Sequence, residues 1–324
     1  VLYISGKGVE KTLILNLKIN LRRKVLLGII SLLIILLASC ATSPPIRPFE
    51  EWFSVLPGDA DIYFYFNNTT TGDLVLKVLR EGKLLDKDTR FILSKTDKIY
   101  GAVALGEKGR ERNATLYSFL TLGNYPKFFM DLNLSFNGKW KRKKASGWYW
   151  FNREKNLELA VPSEHLVAIS NGEMKKLLRN LESPVNYSYP PGLKGDIRNS
   201  DILVFFPSFT ENGGFEKYTK NIKIPISDVW LSLKKGGKEY STRAVFVFGS
   251  EKHAKLFAFV FKLVLAAWLR DVKESDVGKK LSRVRVRVND RTMLLSGLEL
   301  DYSTVDRIFK GFGESLRKDS KGEK

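Results

Sequence analysis

The chain has 324 residues, a formal net charge of +19, 44% apolar and 12% aromatic side chains, and a single cysteine. That apolar content can fill a real core, which excludes a disordered chain except at the ends, and one cysteine excludes an intramolecular disulfide framework. The excess of Lys and Arg is spread along the sequence, so it describes a basic surface suited to anionic partners more than a single site.

Leu21 to Cys40 reads LRRKVLLGIISLLIILLASC. Three cations (Arg22, Arg23, Lys24) precede an apolar run, Val25–Ala38, and small residues close it. The run falls short of the roughly 20 residues a spanning helix needs, and the order of charge, apolar stretch and small residues predicts an export signal. Its ending, Leu37-Ala38-Ser39-Cys40, resembles the lipobox of bacterial lipoproteins. The resemblance implies that Leu37, Ala38 and Ser39 are read by the prolipoprotein peptidase, and that Cys40 becomes the lipid attachment site. It would carry a diacylglyceryl thioether and acyl groups such as palmitate. Residues 1–39 are then a signal peptide, with 1–16 read either as an over-extended start or as following a non-standard start codon, and the mature chain keeps a charge of +14. The implied address is the bacterial cell envelope, lipid-anchored on the exported side of the membrane.

From Cys40 to residue 55 a Pro-rich stretch (Pro44, Pro45, Pro48) predicts a short stiff tether. A turn at Leu56-Pro57-Gly58-Asp59-Ala60 opens a first unit, 56–183. The dense β-former run Ile62–Phe66 predicts a buried strand. A short helix over 74–79 comes next, then strands near 98–105 and 115–122, a helix from Pro126 to Leu134, and strands near 147–152, 157–161 and 166–170. Met174, Leu177, Leu178 and Leu181 make one face of a helix. Residues 184–199, rich in Pro, Gly and Tyr, predict a linker.

The second unit, 200–314, repeats the programme. Ser200-Asp201-Ile202 echoes Ala60-Asp61-Ile62; at an offset of 127, Phe119 falls on Phe246, Val161 on Val288, Leu166 on Met293, Leu178 on Val305 and Leu181 on Ile308. Strands near 228–233, 242–248, 284–288 and 293–295 and a helix over 251–270 complete it. Residues 315–324 read as a charged disordered tail. The expected fold class is α+β: antiparallel sheet with helices on one face, as two similar halves from an internal duplication. The alternation of Val284, Val286 and Val288 with Arg283, Arg285 and Arg287 predicts valines inward and arginines on the open face. The Leu56–Ala60 turn resembles the L-P-x-D-A-like opening of certain bacterial envelope proteins, a resemblance that implies no activity.

Candidate chemistry is sparse. His165 and His253 stand in no metal-ligand spacing, and no nucleophile elbow appears; no metal site, no catalytic residue and no cofactor beyond the acyl groups is expected. The most concentrated feature is Lys139-Trp140-Lys141-Arg142-Lys143-Lys144, followed by Trp148 and Trp150. Cations beside aromatics suit an anionic ligand or a membrane, although the same residues also fit a hairpin with a basic turn. Leu256–Leu269, apolar nearly all round, reads as a central core helix, with a surface helix dipping into a membrane or lining a lipid-sized cavity as the alternative. The expected function is a non-catalytic binding or scaffolding lipoprotein, its basic surface towards anionic lipid or glycopolymer, with no nucleic-acid partner. The alternatives are a carrier of an apolar or lipid ligand held between the halves, and a hydrolase with scattered carboxylates.

Overall fold

The computed structural model describes residues 49–81, 86–105, 115–185, 189–190, 192–209, 225–272 and 276–319. Cys40 and the lipobox residues Leu37, Ala38 and Ser39 lie outside them. Arg47–Lys324 form one compact unit.

A 3-10 helix (Phe49–Val55) precedes β1 (Ile62–Asn67), α1 (Asn68–Glu81) and α2 (Lys87–Ser94). Next come β2 (Thr96–Ala104), β3 (Leu116–Gly123) and α3 (Lys127–Phe136). Two hairpins follow, β4 (Trp140–Lys144) with β5 (Trp148–Asn152) and β6 (Leu157–Ser163) with β7 (Leu166–Ser170), then α4 (Met174–Glu182). The second half holds α5 (Leu193–Asn199), β8 (Ile202–Phe206), β9 (Ile226–Gly236), β10 (Glu239–Phe248) and α6 (Glu251–Val272). It ends with α7 (Asp276–Leu281), β11 (Arg285–Asn289), β12 (Thr292–Asp301) and α8 (Tyr302–Asp319).

Among the described residues all twelve strands join one sheet, in the order β11-β12-β10-β9-β8-β1-β2-β3-β7-β6-β5-β4, and every pairing is antiparallel. The stretches expected as separate units are thus the two sides of a single sheet, joined where β1 pairs β8. Outward from that junction the order is β2-β3-β7-β6 on one side and β9-β10-β12-β11 on the other. The entry into each half is also alike. Asp61 N donates to Val103 O (2.9 Å) and Asp201 N to Leu233 O (2.8 Å); each carboxylate then accepts the backbone N–H two residues further on, Leu105 (2.7 Å) and Lys235 (2.8 Å).

Period-two alternation in β1 gives the sheet a tyrosine face and a phenylalanine face. Tyr63, Tyr65, Tyr100, Leu203, Phe205 and Trp230 pack with Trp52 and Phe53 of the 3-10 helix, Met174, Leu177 and Leu178 of α4, and Leu193 and Ile197 of α5. On the opposite face Phe66 and Ile202 meet α1 and α8 through Leu74, Val305 and Phe309. There too α2 and α3 cover β6 and β7 through Ile92 and Met130, and α6 covers β10–β12 through Ala254 and Ala258. Gly101 lies opposite Phe64 in the β1–β2 ladder, and a Cβ there would stand 2.0 Å from Phe64 Cζ, so only glycine leaves room for that ring.

Four expectations are corrected. Helices cover both faces of the sheet, not one, because both sides of β1 are apolar and each needs cover. The supposed linker 184–199 contains α5, whose Leu193 and Ile197 are fully buried. The supposed tail starts inside α8, which runs to Asp319. The matched positions Leu178 and Val305 lie on opposite faces of the sheet, so the likeness of the halves holds for strand order and not for their closing helices. As expected, Val286 and Val288 pack inward and Arg285 and Arg287 are exposed.

Candidate functional site

Three side-chain assemblies stand outside the core. The first is the sequence-flagged basic run. It is a strand, not a turn: Trp140–Lys144 form β4 at the edge of the sheet, and the turn is Ala145–Gly147. Register decides which side chains meet. Trp140, Arg142 and Lys144 pair with Asn152, Trp150 and Trp148 and share the phenylalanine face with them, while Lys141 and Lys143 project from the other. The Arg142 guanidinium lies 4.1 Å from the Trp148 ring centroid, and Lys143 Nζ lies 4.0 Å from that of Phe151. Trp150 is 3% exposed and Trp148 49%, so only the outer indole is available to a partner. Lys139 is held by Glu154 at 2.9 Å; Lys141, Arg142, Lys143 and Lys144 make no ion pair among the described residues.

The second assembly was only partly legible in the sequence. α6 starts at Ser250, whose Oγ accepts His253 N (3.3 Å) and meets His253 Nδ1 (2.9 Å), so His253 serves the helix cap. Small residues, Ala254 and Ala258, let the helix sit close to the sheet, with Phe257 stacked on Phe246 and Phe248 at 5.7 and 5.3 Å. The rest of the helix is turned outward. Leu256, Phe259, Val260, Leu263, Val264 and Trp268 are all exposed, several by more than half. Leu256–Leu269 is therefore not a central core helix: one stripe packs on β10–β12 and nothing among the described residues covers the opposite arc. No acid occurs between Glu251 and Asp271, and Lys252, Lys255 and Lys262 are exposed along the same helix. α3 behaves alike. Met130 is buried, while Phe128, Phe129, Leu132 and Phe136 are exposed, Phe136 by 82%. Six large apolar residues in a ten-residue helix that buries one was the readable signal.

The third is a polar knot between α1 and α8. The Tyr302 hydroxyl donates to Asp73, and Lys77 pairs with Asp306. Burial, then the hydrogen bond to the Asp73 carboxylate, pushes the Tyr302 phenol well above its ordinary range. Tyr240, buried nearby with a hydroxyl that finds no partner, is pushed up to about 12 by burial, with Asp73 and Asp201 adding to it. Both phenols are thereby held in the neutral form, and that of Tyr302 ties α8 to α1.

His165 is exposed in the β6–β7 turn, its Nδ1 3.3 Å from Gly123 O. Among the described residues no group of three or more His, Cys, Asp or Glu could hold a metal ion, and no helix is long and apolar enough to cross a membrane. The β1–β8 ladder fills the junction between the halves, and α6 lies to one side of it, over β10–β12.

The family described as outer membrane-associated lipoprotein TP0453 matches residues 47–275. Among solved structures, crystal form I of TP0453 superposes with a TM-score of 0.56 at 16% identity, over 84% of this chain and 99% of that one. Crystal form III gives 0.56 at 17% identity, over 83% and 100%. At such identities the likeness is one of fold. No curated protein matches the chain in sequence.

Proposed function

The chain belongs to the outer membrane-associated lipoprotein TP0453 family, and from that premise we propose a lipid-anchored, non-catalytic protein whose globular part docks flat on a membrane through α6. The observation that carries this reading is the outward arc of α6. Six large apolar side chains there are open to solvent. Soluble monomers seldom leave so contiguous an apolar strip uncovered. A helix with an apolar arc, flanking lysines and no acid between its two ends matches the pattern of one lying in the headgroup region, its lysine stems along the apolar surface and their ammonium groups at the phosphates. Cys40, acylated after signal removal, holds the chain at the bilayer. Acyl chains keep the protein near the surface, and α6 sets its orientation there.

Burying the half of each side chain that is exposed contributes about 1 kcal/mol per residue, half of the usual value for full burial. The test is flotation of residues 47–324, which contain every described core cluster, with neutral phosphatidylcholine vesicles. The unmodified unit should float. Leu263→Asp, with its side chain 55% exposed and away from the sheet, should leave the fold intact and lower partitioning at least tenfold, since about 1.4 kcal/mol is a factor of ten. A unit that stays in solution, or that forms a dimer dissolved by Leu263→Asp and ignores vesicles, would overturn the reading in favour of a contact between copies.

A further inference from the structure

We infer that the β4–β5 hairpin and the adjacent outer face of α3 form a second membrane contact, selective for anionic phospholipid headgroups. This rests on the proposal that the phenylalanine face of the sheet meets a bilayer, and it adds a lipid class and a separate set of residues.

Four consecutive cations, Lys141 to Lys144, occupy one edge strand with no carboxylate to balance them. A charged edge is a known guard against strand-to-strand aggregation, and one or two lysines serve that purpose. Here every position past Trp140 is cationic, like charges stand two residues apart on each face, and mutual repulsion is relieved only by an external anion. The aromatic partners are equally specific. Arg142 stacks on Trp148, whose indole is half-exposed, so cation and amphipathic ring present together, the pairing found at the headgroup level of membranes.

α3 chooses between the anions that could satisfy such a patch. Its Leu134 packs with Trp140 of β4 in one cluster with Met130, so its outer arc adjoins the hairpin on the same face of the sheet. That arc carries Phe129 and Phe136, 67% and 82% exposed. A soluble anionic polysaccharide would neutralise the cations and leave these rings in water. A bilayer takes both: phosphates for Arg142 and Lys144, acyl chains for the phenylalanines.

The experiment measures partitioning of residues 47–324 to neutral phosphatidylcholine vesicles and to vesicles containing phosphatidylglycerol, at about 0.1 M salt, where charges act over about 10 Å. One variant carries Lys141→Gln, Arg142→Gln, Lys143→Gln and Lys144→Gln; a second carries Glu at the same four positions, which keeps the edge charged. Near an anionic surface each cation is worth up to about fivefold, so the unmodified unit should prefer anionic vesicles by 30-fold or more. The Gln variant should lose at least tenfold of that preference and the Glu variant more, both with unchanged binding to neutral vesicles, which also reports that they fold. Equal preference in all three proteins overturns the proposal and leaves an edge guard. Hairpin-dependent binding of heparin without a hairpin-dependent vesicle preference overturns it in favour of a glycopolymer. Failure of the α6 reading looks different: it abolishes binding to neutral vesicles while the hairpin-dependent preference remains.

Discussion

Asp201 offers the sharpest test of how the two sides of the sheet are held together. It is 2% exposed and accepts three hydrogen bonds, from Asn67 Nδ2 (3.1 Å), Thr70 Oγ1 (2.8 Å) and Lys235 N (2.8 Å), with Lys234 Nζ at 4.0 Å. One carboxylate thereby ties the end of β1, the first turn of α1 and the β8–β9 ladder. Its counterpart Asp61 is also buried and receives the Leu105 N–H at 2.7 Å. Hydrogen bonds to a charged group contribute about 1.5–3 kcal/mol each, and a stranded buried donor costs about 1–3 kcal/mol. Some of the three donors around Asp201 can turn to water, so the bonds do not add in full. Asp201→Ala should cost about 3–5 kcal/mol, the range for breaking a buried charged contact, and Asp61→Ala about 2 kcal/mol. Urea denaturation of residues 47–324 reads both, as a fall in midpoint at constant slope. A loss below about 1 kcal/mol for Asp201→Ala, or equal losses for the two, would refute the view that this carboxylate joins the halves.

Two further outcomes are expected. Unfolding releases Tyr240 from about 12 to its ordinary 10.0, so the unfolded chain binds fewer protons between those values and stability falls as pH rises from 10 to 12; Tyr240→Phe, which removes a buried hydroxyl without a partner, should make that fall shallower in denaturation curves at pH 9 and 11.5, and an unchanged slope would count against it. In the full chain, Cys40→Ser should accumulate as an unacylated, uncut precursor on a gel, and normal maturation of that variant would remove the lipobox assignment.

What could be read in the sequence was whatever local pattern alone decides. The dense run of β-formers in β1 and the period-two Arg-Val alternation of β11 are both local signals, and both are strands. β4 was missed because Lys-Arg-Lys-Lys has no β-forming pattern of its own; its extended shape is imposed by pairing with Trp148–Asn152. α5 was missed because its two core anchors, Leu193 and Ile197, sit among Pro and Gly in too short a window to show a helical period. Which face of a sheet a helix covers leaves no trace in its own periodicity, and that is why helices on both sides were not anticipated. α6 shows the same limit: a helix apolar nearly all round has the same sequence whether its second side is packed in the fold or left open, and only the structure separates the two.

The β1–β8 junction has a consequence for the order of assembly. β1 finds β2 within some forty residues, but its other edge waits for β8, with Phe64 opposite Val204. Until the chain has been made that far, this strand of aromatic and β-branched residues shows an open hydrogen-bonding edge to its surroundings. A chain that emerges N-terminus first therefore passes through an aggregation-prone interval with β1 only half paired. The central position that pairs β1 on both edges at the end leaves one of those edges open on the way there.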